Sequence, residues 1–182
     1  MESYSLYRDS DVEWIGEIPD NWDLLKIKNI CSFRKGQGLS KTVLDEDGLN
    51  PCILYGELFT SYKNRNVLDE IISKTNEKGS ILSDGDEILI PGSTTTTGID
   101  LSNSKYLPHS NIILGGDIII LKPRKKYSKE FISYHLTYVS TPEFIVGSRG
   151  VTIYHIYPKQ IREIYISFPP IETQSQIVSF LD

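Results

Sequence analysis

Several residue types and patterns that define large protein classes are scarce or missing in this chain of 182 residues. Its two cysteines, Cys31 and Cys52, cannot build a disulfide framework or a cysteine-rich zinc site. No apolar run approaches the roughly 20 residues that a membrane-spanning helix needs. The N-terminus lacks the basic and then apolar pattern of a secretion signal. These absences predict a cytoplasmic protein with no membrane partner and no metal.

The patterns that enzymes need are also missing. The three histidines, His109, His135 and His155, lack close metal-ligand spacing, and none makes an obvious triad with a serine in a nucleophile elbow. Residues 34–41 lack the Gly-Lys-Ser/Thr ending of a phosphate-binding loop. Residues 168–171 (FPPI) lack the polar residue and the aromatic of the amino-methyltransferase motif. We therefore predict a non-catalytic chain that holds no cofactor of its own.

Acidic residues outnumber basic ones, and the resulting net charge of −5 is unfavourable for binding a polyanion. The charges are segregated, however. Residues 24–41 carry five bases and no acid, residues 103–129 carry six bases and one acid, and residues 9–23 carry six acids and no base. Because the local field rather than the net charge decides where a polyanion docks, this distribution permits DNA binding. Random clustering on a solvated surface explains it equally well.

Short apolar segments bounded by glycine or proline predict strands. Helical spacing predicts a helix over residues 128–139 with Ser128 as its N-cap, and shorter helices over 142–146 and 158–163. Because strands and helices mix without regular βαβ alternation, the predicted class is α+β, a single domain with a mixed, twisted β-sheet and short helices. The predicted strands are 24–27, 31–34, 52–55, 87–90, 111–114, 117–121 and 164–168.

The two ends of the chain differ from this pattern. The first 23 residues are predicted to be irregular, wrapping over the body and burying Trp14 and Trp22. After Pro169-Pro170 the pattern becomes helical, with no stop signal before the end. We therefore expect a domain over residues 1–168 and the start of a long, trimmed helix over 169–182. One side of this helix is predicted to pack against another helix or a partner through Ile171, Gln174, Ile177, Val178 and Leu181.

Four segments carry a family resemblance. Residues 7–22 (YRDSDVEWIGEIPDNW) combine a tyrosine, an acidic stretch, a Trp-hydrophobic-Gly-x-hydrophobic-Pro pattern and a second tryptophan. Residues 166–182 (ISFPPIETQSQIVSFLD) combine a strand, a Pro-Pro step and a Gln-rich helix, while residues 85–91 (GDEILIP) and 147–152 (GSRGVT) lie between. In this order the segments closely resemble the target-recognition domain of type I restriction–modification specificity (S) subunits.

The resemblance implies sequence-specific recognition of one half of a bipartite DNA site. It implies methyltransferase (M) subunits that use S-adenosylmethionine and restriction (R) subunits that use ATP and Mg²⁺ as partners, with self-association through the terminal helix if that helix is extended. The usual Glu-Gln pair of the last helix is Thr173-Gln174 here, and we expect only one recognition domain within these 182 residues. These departures concern assembly, so the alternative is a protein–protein module that scaffolds M subunits without DNA preference.

Three polar loops offer the donors and acceptors with which proteins contact phosphates and base edges. They are residues 34–41, 92–105 and 148–155. Each also has a purely structural interpretation, as turn glycines, backbone-binding hydroxyls or an arginine that pins the backbone. The predicted DNA contacts in these loops are Arg34, Lys35, Gln37, Ser40, Lys41, Ser93, Thr94, Thr95, Thr96, Asn103, Lys105, Arg149, Thr152 and Tyr154.

Two further basic clusters are weaker candidates for phosphate contact. The denser cluster spans residues 122–129 and includes Arg124 and Lys125; the other contains Lys63 and Arg65. A run of charges is more often a solvated face than a binding site.

Overall fold

The computed structural model describes residues 6–181, and within this range the chain forms fourteen short strands and five α-helices. The helices are α1 (Ile27–Ile30), α2 (Lys129–Tyr134), α3 (Thr141–Gly147), α4 (Pro158–Ile161) and α5 (Ile171–Leu181). The strands are β1 (Tyr7–Asp9), β2 (Glu17–Pro19), β3 (Asp23–Lys26), β4 (Cys31–Lys35), β5 (Asn50–Ile53), β6 (Ser73–Thr75), β7 (Leu82–Asp84), β8 (Glu87–Pro91), β9 (Ser93–Thr94), β10 (Lys105–Leu107), β11 (Ser110–Leu114), β12 (Ile118–Pro123), β13 (Tyr154–His155) and β14 (Tyr165–Phe168).

The strands divide among several sheets. One four-stranded sheet has the order β10-β8-β12-β4 and is antiparallel throughout, and a second has the order β6-β5-β11-β7 with β5 and β11 parallel. The pairs β1-β2, β13-β9 and β14-β3 form two-stranded sheets. The predicted α+β class is therefore confirmed, although the strands are too short and too often interrupted by turns to form one continuous sheet.

The two central strands β8 and β12 are buried on both faces. Ile119 and Leu121 of β12 pack into one hydrophobic cluster, and Ile118 and Ile120 pack into another. Because successive side chains of a strand point to opposite faces, a sheet covered on both sides needs uninterrupted apolar strands. This is why residues 118–121 read as a continuous apolar run, and why both strands could be predicted from the sequence.

The predicted helix over residues 128–139 begins as expected but ends differently. The Ser128 hydroxyl accepts a hydrogen bond from the Phe131 amide at 3.1 Å, which confirms the N-cap. After Tyr134 the backbone widens into a π-helical turn, His135–Val139. A π turn inserts extra residues into the helical repeat, so Val139, which regular helical spacing would place on the same face as Phe131 and His135, is 40% exposed.

The N-terminal segment is more regular than predicted, because β1 and β2 form a hairpin with Arg8 opposite Ile18. Trp22 is half-buried, but Trp14 is 39% exposed. The prediction that both tryptophans are buried is therefore wrong for Trp14, whose indole donates to Glu143 Oε1 at 2.8 Å. This hydrogen bond attaches the N-terminal segment to α3.

Helix α5 packs largely on its own domain. Ile177 and Val178 lie against the core, and the buried Gln174 amide donates to the Pro169 carbonyl at 2.8 Å. Ile171 and Leu181 are each 47% exposed. Part of the predicted side thus lies against the domain itself, where α5 contacts α2, and packing of the exposed residues against a partner stays a prediction. Outside this set, Phe180 is 86% exposed.

The buried His135 predicts a pH dependence of stability. Its Nε2 accepts from the Ser167 amide at 3.3 Å and its Nδ1 lies 3.1 Å from the Ser140 hydroxyl, and burial lowers its pKa to about 4. The unfolded chain therefore binds the proton more readily, so stability is lost as the pH falls from about 6.5 toward 4. Between about pH 7 and pH 5, the wild type should lose about 2 kcal/mol more unfolding free energy than His135→Gln.

Urea denaturation of both proteins at the two pH values measures this difference. Burial raises the pKa of Glu143 to about 7, so this carboxyl acts in the opposite sense, its stabilisation being lost as the pH rises from about 4.5 to 7. Both proteins share this contribution, so it cancels in the comparison. An equal pH dependence of the two proteins would contradict the assignment of a neutral, buried His135.

Candidate nucleic-acid interface

Three polar loops leave the same end of the four-stranded sheet β10-β8-β12-β4. Strand β12 is antiparallel to β8 and β4, with Ile118 opposite Pro91 and Ile119 opposite Lys35. The carboxyl ends of β8 and β4 therefore lie beside the amino end of β12. The third loop joins them because β13 pairs with β9, which directly follows β8. We call residues 35–41, 92–97 and 148–155 the loop end.

Asp117 connects two of these loops. Its carboxylate accepts a hydrogen bond from the Ser93 hydroxyl at 3.0 Å and lies 3.5 Å from the Lys35 ammonium. Its backbone carbonyl accepts from the Gly92 amide at 2.6 Å. This role of Asp117, which follows Gly115-Gly116, could not be predicted from the sequence. The available signal was a single carboxylate inside a basic stretch, immediately before a buried strand.

The start of the first loop is held close to β11 by backbone contacts. The backbone N–H of Gln37 donates to the Leu114 carbonyl at 3.1 Å. A Cβ at Gly36 would lie 2.0 Å from the Gly115 carbonyl oxygen, so only glycine fits this approach. Gly36 therefore serves the fold.

The remaining polar residues of the first loop face solvent. Lys35 is 56% exposed at its side chain, and Gln37, Ser40 and Lys41 are exposed. The Ser40 hydroxyl also accepts from the Thr42 amide at 3.2 Å and so caps a short 3-10 turn. Two lysines are thus available at the loop end, together with the exposed side-chain amide of Gln37, whose oxygen accepts from the Ser80 hydroxyl at 3.3 Å.

Arg34, predicted as a DNA contact, has a structural position instead. Its guanidinium donates to Glu87 Oε1 at 2.6 Å, lies 3.1 Å from the Asp84 carboxylate and donates to the Leu82 carbonyl at 3.1 Å. The Glu87 side chain is completely buried. Because Arg34 is needed to neutralise this carboxylate, we correct its role from DNA reading to joining β4, β7 and β8.

The hydroxyl-rich second loop is only partly accessible. Ser93 and Thr94 are 3% and 1% exposed, so neither can face a DNA groove, which corrects two predicted contacts. Thr95 and Thr96 are exposed. The hydroxyls of Thr94 and Thr96 bond each other at 2.9 Å, and Thr96 also donates to the Asp100 carboxylate. Buried hydroxyls thus anchor the loop and leave the next residues at the surface.

Two further predicted contacts lie beyond this loop. Lys105 is 2% exposed, and its ammonium donates to the Lys63 carbonyl at 3.3 Å. Burial lowers the pKa of Lys105 to about 8. A buried ammonium cannot meet a phosphate, so this prediction is wrong. Asn103 is half-buried, and its amide donates to the Asp100 carbonyl at 3.2 Å.

The third loop is attached to the second through β13 and β9, where Tyr154 lies opposite Thr94. Arg149 is exposed, and its guanidinium donates to two carbonyls at the end of α3 at 3.3 and 3.4 Å. Thr152 is exposed, while Tyr154 is half-buried against the core. Arg149 and Thr152 are therefore the accessible polar groups of this loop.

The two other basic clusters lie elsewhere. Arg124 and Lys125 are exposed but follow the carboxyl end of β12, six residues from its start at the loop end. Lys63 and Arg65 lie beside β10, the edge strand opposite β4. Arg65 also pairs with Glu70 at 3.6 Å. The structure therefore does not bring these four side chains together with the three loops.

A cavity of about 600 Å³ flanks the third loop. Its lining includes Trp14, Glu143, Arg149, Lys159 and Gln160.

Among residues 6–181, no group of three or more His, Cys, Asp or Glu side chains could hold a metal ion. In the same part of the chain, no helix is both long and apolar enough to cross a membrane.

A family model decides the relationship of the chain to known proteins. Residues 19–182 match the model of the type I restriction modification DNA specificity domain. The chain belongs to this family. Membership supports DNA target recognition in general, and specificity subunits are generally non-catalytic.

The relatives of this specificity domain are longer proteins. The putative type I restriction enzyme MjaX specificity subunit of Methanocaldococcus jannaschii is 25% identical over 170 residues, which cover 92% of this chain and 37% of the relative. The HsdS subunit of Thermoanaerobacter tengcongensis superimposes with a TM-score of 0.63 at 17% identity, covering 97% of this chain and 39% of that one. A chain from a structure of type I R-M complex assembly superimposes with a TM-score of 0.66 at 19% identity. This match covers 91% of the present chain and 38% of the other. The specificity domain thus spans under two fifths of each relative, and the solved structures support the fold alone.

Proposed function

We propose that this chain reads one half of a bipartite DNA target as part of a type I specificity subunit. The observation that carries the proposal is the convergence of three polar loops at one end of a sheet. Two rigid strands buried on both faces position these loops, and Asp117 connects two of them. A DNA reader needs such a surface, on which phosphate contacts set the register and groups beside them read the bases.

The accessible groups of the loop end divide by chemistry. The cations Lys35, Lys41 and Arg149 suit phosphate oxygens. Among the exposed uncharged groups, the amide of Gln37 suits adenine, while the hydroxyls of Thr95, Thr96 and Thr152 pair with several base edges. Asp117 and Asp100 also lie here, but hydrogen bonds or an ion pair from neighbouring side chains engage both carboxylates. The loop end is therefore suited to a polyanion although the net charge is −5.

The partners follow from the same family. We propose that the chain carries no catalytic centre, that S-adenosylmethionine and ATP with Mg²⁺ bind M and R subunits respectively, and that the chain positions both on DNA. One solved relative comes from a structure that addresses assembly of the type I R-M system. An isolated recognition domain should bind DNA weakly, because a tethered second domain normally adds effective concentration.

A second candidate function is a scaffold that holds M subunits without DNA preference. The exposed apolar side chains at the end of α5 favour it, since Phe180 and Leu181 are 86% and 47% exposed. Such side chains can pack against another helix, in this subunit or in a partner.

Selection from a randomised DNA duplex library distinguishes the two functions. We expect the purified chain to enrich one short motif, and each base-pair change in that motif to weaken binding about fivefold or more. A pull-down with the M subunit encoded beside the chain is the matched assay. Tight capture of that subunit without any enriched motif would reject the DNA reader in favour of the scaffold.

A further inference from the structure

Residues 149–155 form a narrow projection, which we call the finger. Its base is closed by two backbone hydrogen bonds, from the Arg149 amide to the His155 carbonyl at 2.9 Å and from the His155 amide to the Arg149 carbonyl at 2.8 Å. At Gly150, φ is +133°, and a Cβ would lie 1.8 Å from the Ile153 carbonyl oxygen. The turn therefore requires glycine there and has a defined shape.

The tip of the finger is apolar and faces solvent. Val151 is 90% exposed and Ile153 is 46% exposed, with the exposed Thr152 between them. A single exposed aliphatic residue is ordinary. Two branched aliphatic side chains at the tip of a fixed turn are not required by the fold, because both are exposed and neither belongs to the hydrophobic core.

The finger is placed among the proposed DNA contacts. At its base, Tyr154 pairs with Thr94 in antiparallel register, and continuing this register places Ile153 beside the exposed Thr95. Arg149 supplies a cation at the other side of the base. The apolar tip thus extends from a base that pairs with the hydroxyl-bearing second loop and carries the exposed Arg149.

We propose that the finger enters the major groove and that Val151, supported by Ile153, reads the C5-methyl group of thymine. This inference rests on the proposed function and names the base feature that this part of the site recognises. The major groove is wide enough for a two-stranded β-ribbon. Hydrocarbon side chains cannot read donors or acceptors, so the thymine methyl is the feature of a major-groove base edge that they can contact.

Deoxyuridine substitution tests the proposal, because deoxyuridine differs from thymidine only by that methyl group. In the duplex selected by the chain, each thymidine is replaced in turn. We expect one or two replacements to weaken binding of the wild type about fourfold, the value of one buried methyl group. Val151→Ala should weaken binding to the thymidine duplex by a similar factor and no longer distinguish the two duplexes.

Leu49→Ala is the matched control, because Leu49 is an 86% exposed aliphatic residue that precedes β5 and belongs neither to the finger nor to the other two loops. It should discriminate thymidine from deoxyuridine as the wild type does. Since Val151 is almost fully exposed, Val151→Ala should keep the thermal unfolding midpoint of the wild type, so a loss of binding cannot be attributed to unfolding.

Other roles of the finger predict different results. The proposal would be overturned if deoxyuridine replacement left the binding affinity unchanged at every position, or if the selected motif contained no thymine. It would also be overturned if Val151→Ala still distinguished the two duplexes. If deoxyuridine replacement leaves the affinity unchanged but the fluorescence of 2-aminopurine in the duplex increases on binding, the finger acts instead as a wedge between bases. If Val151→Ala weakens capture of the M subunit and leaves the DNA affinity unchanged, the finger contacts that protein. If the wild type does not distinguish the selected duplex from a scrambled one, the proposed function itself fails.

Discussion

Replacing Glu87 with alanine is expected to lower the free energy of unfolding by about 3 kcal/mol. The carboxylate is 0% exposed, accepts from the Arg34 guanidinium at 2.6 Å and accepts from the Asp84 amide at 3.0 Å. Removing it leaves a half-buried cation and a backbone N–H without their acceptor, which is the costly way to break an internal ion pair. A loss of this size would support a structural role for the Arg34–Glu87 pair.

Glu70→Ala is the matched control, because it also removes a carboxylate from an arginine. The Arg65–Glu70 pair is 3.6 Å long with side chains 47% and 77% exposed, so its loss should cost less than about 1 kcal/mol. Urea denaturation of the two variants and the wild type measures the difference. Equal destabilisation by the two substitutions would contradict the structural role of Glu87.

The elements that could be predicted from the sequence are those fixed by local patterns. Strands β8 and β12 follow from apolar runs beside glycine turns, and the start of α2 follows from Ser128 as an N-cap. The two-residue strands β9 and β13 were not predictable, since they exist only because residues about sixty positions apart pair. The π turn after Tyr134 likewise has no local pattern that distinguishes it from an α-helix.

The candidate site was predictable in its chemistry but not in its exposure. The three loops were identified from their residue types, and the registers of β4, β8, β12 and β13 bring them together. Which side chains remain free depends on distant partners. Ser93 is engaged by Asp117, and Arg34 by Glu87, at sequence separations of 24 and 53 residues. Composition alone gives no indication of such pairs.

The second large effect concerns DNA affinity. Replacing Lys35 and Lys41 together with alanine should reduce the slope of log affinity against log salt by about two, because each phosphate contact releases about one counterion. At about 50 mM salt this corresponds to a loss of roughly a hundredfold in affinity. The pairing of Lys35 with Asp117 at 3.5 Å does not prevent the contact, because both side chains are exposed and such pairs are weak.

The salt dependence of DNA binding by two double variants tests most directly whether the loop end is the DNA surface. The second double variant, Arg124→Ala with Lys125→Ala, also removes two positive charges, but from the opposite end of β12. Both double variants therefore have the same net charge. We expect the first variant to lose about two units of slope and the second to bind as the wild type does. The reverse result, with the slope lost at residues 124 and 125 and retained at 35 and 41, would contradict the account.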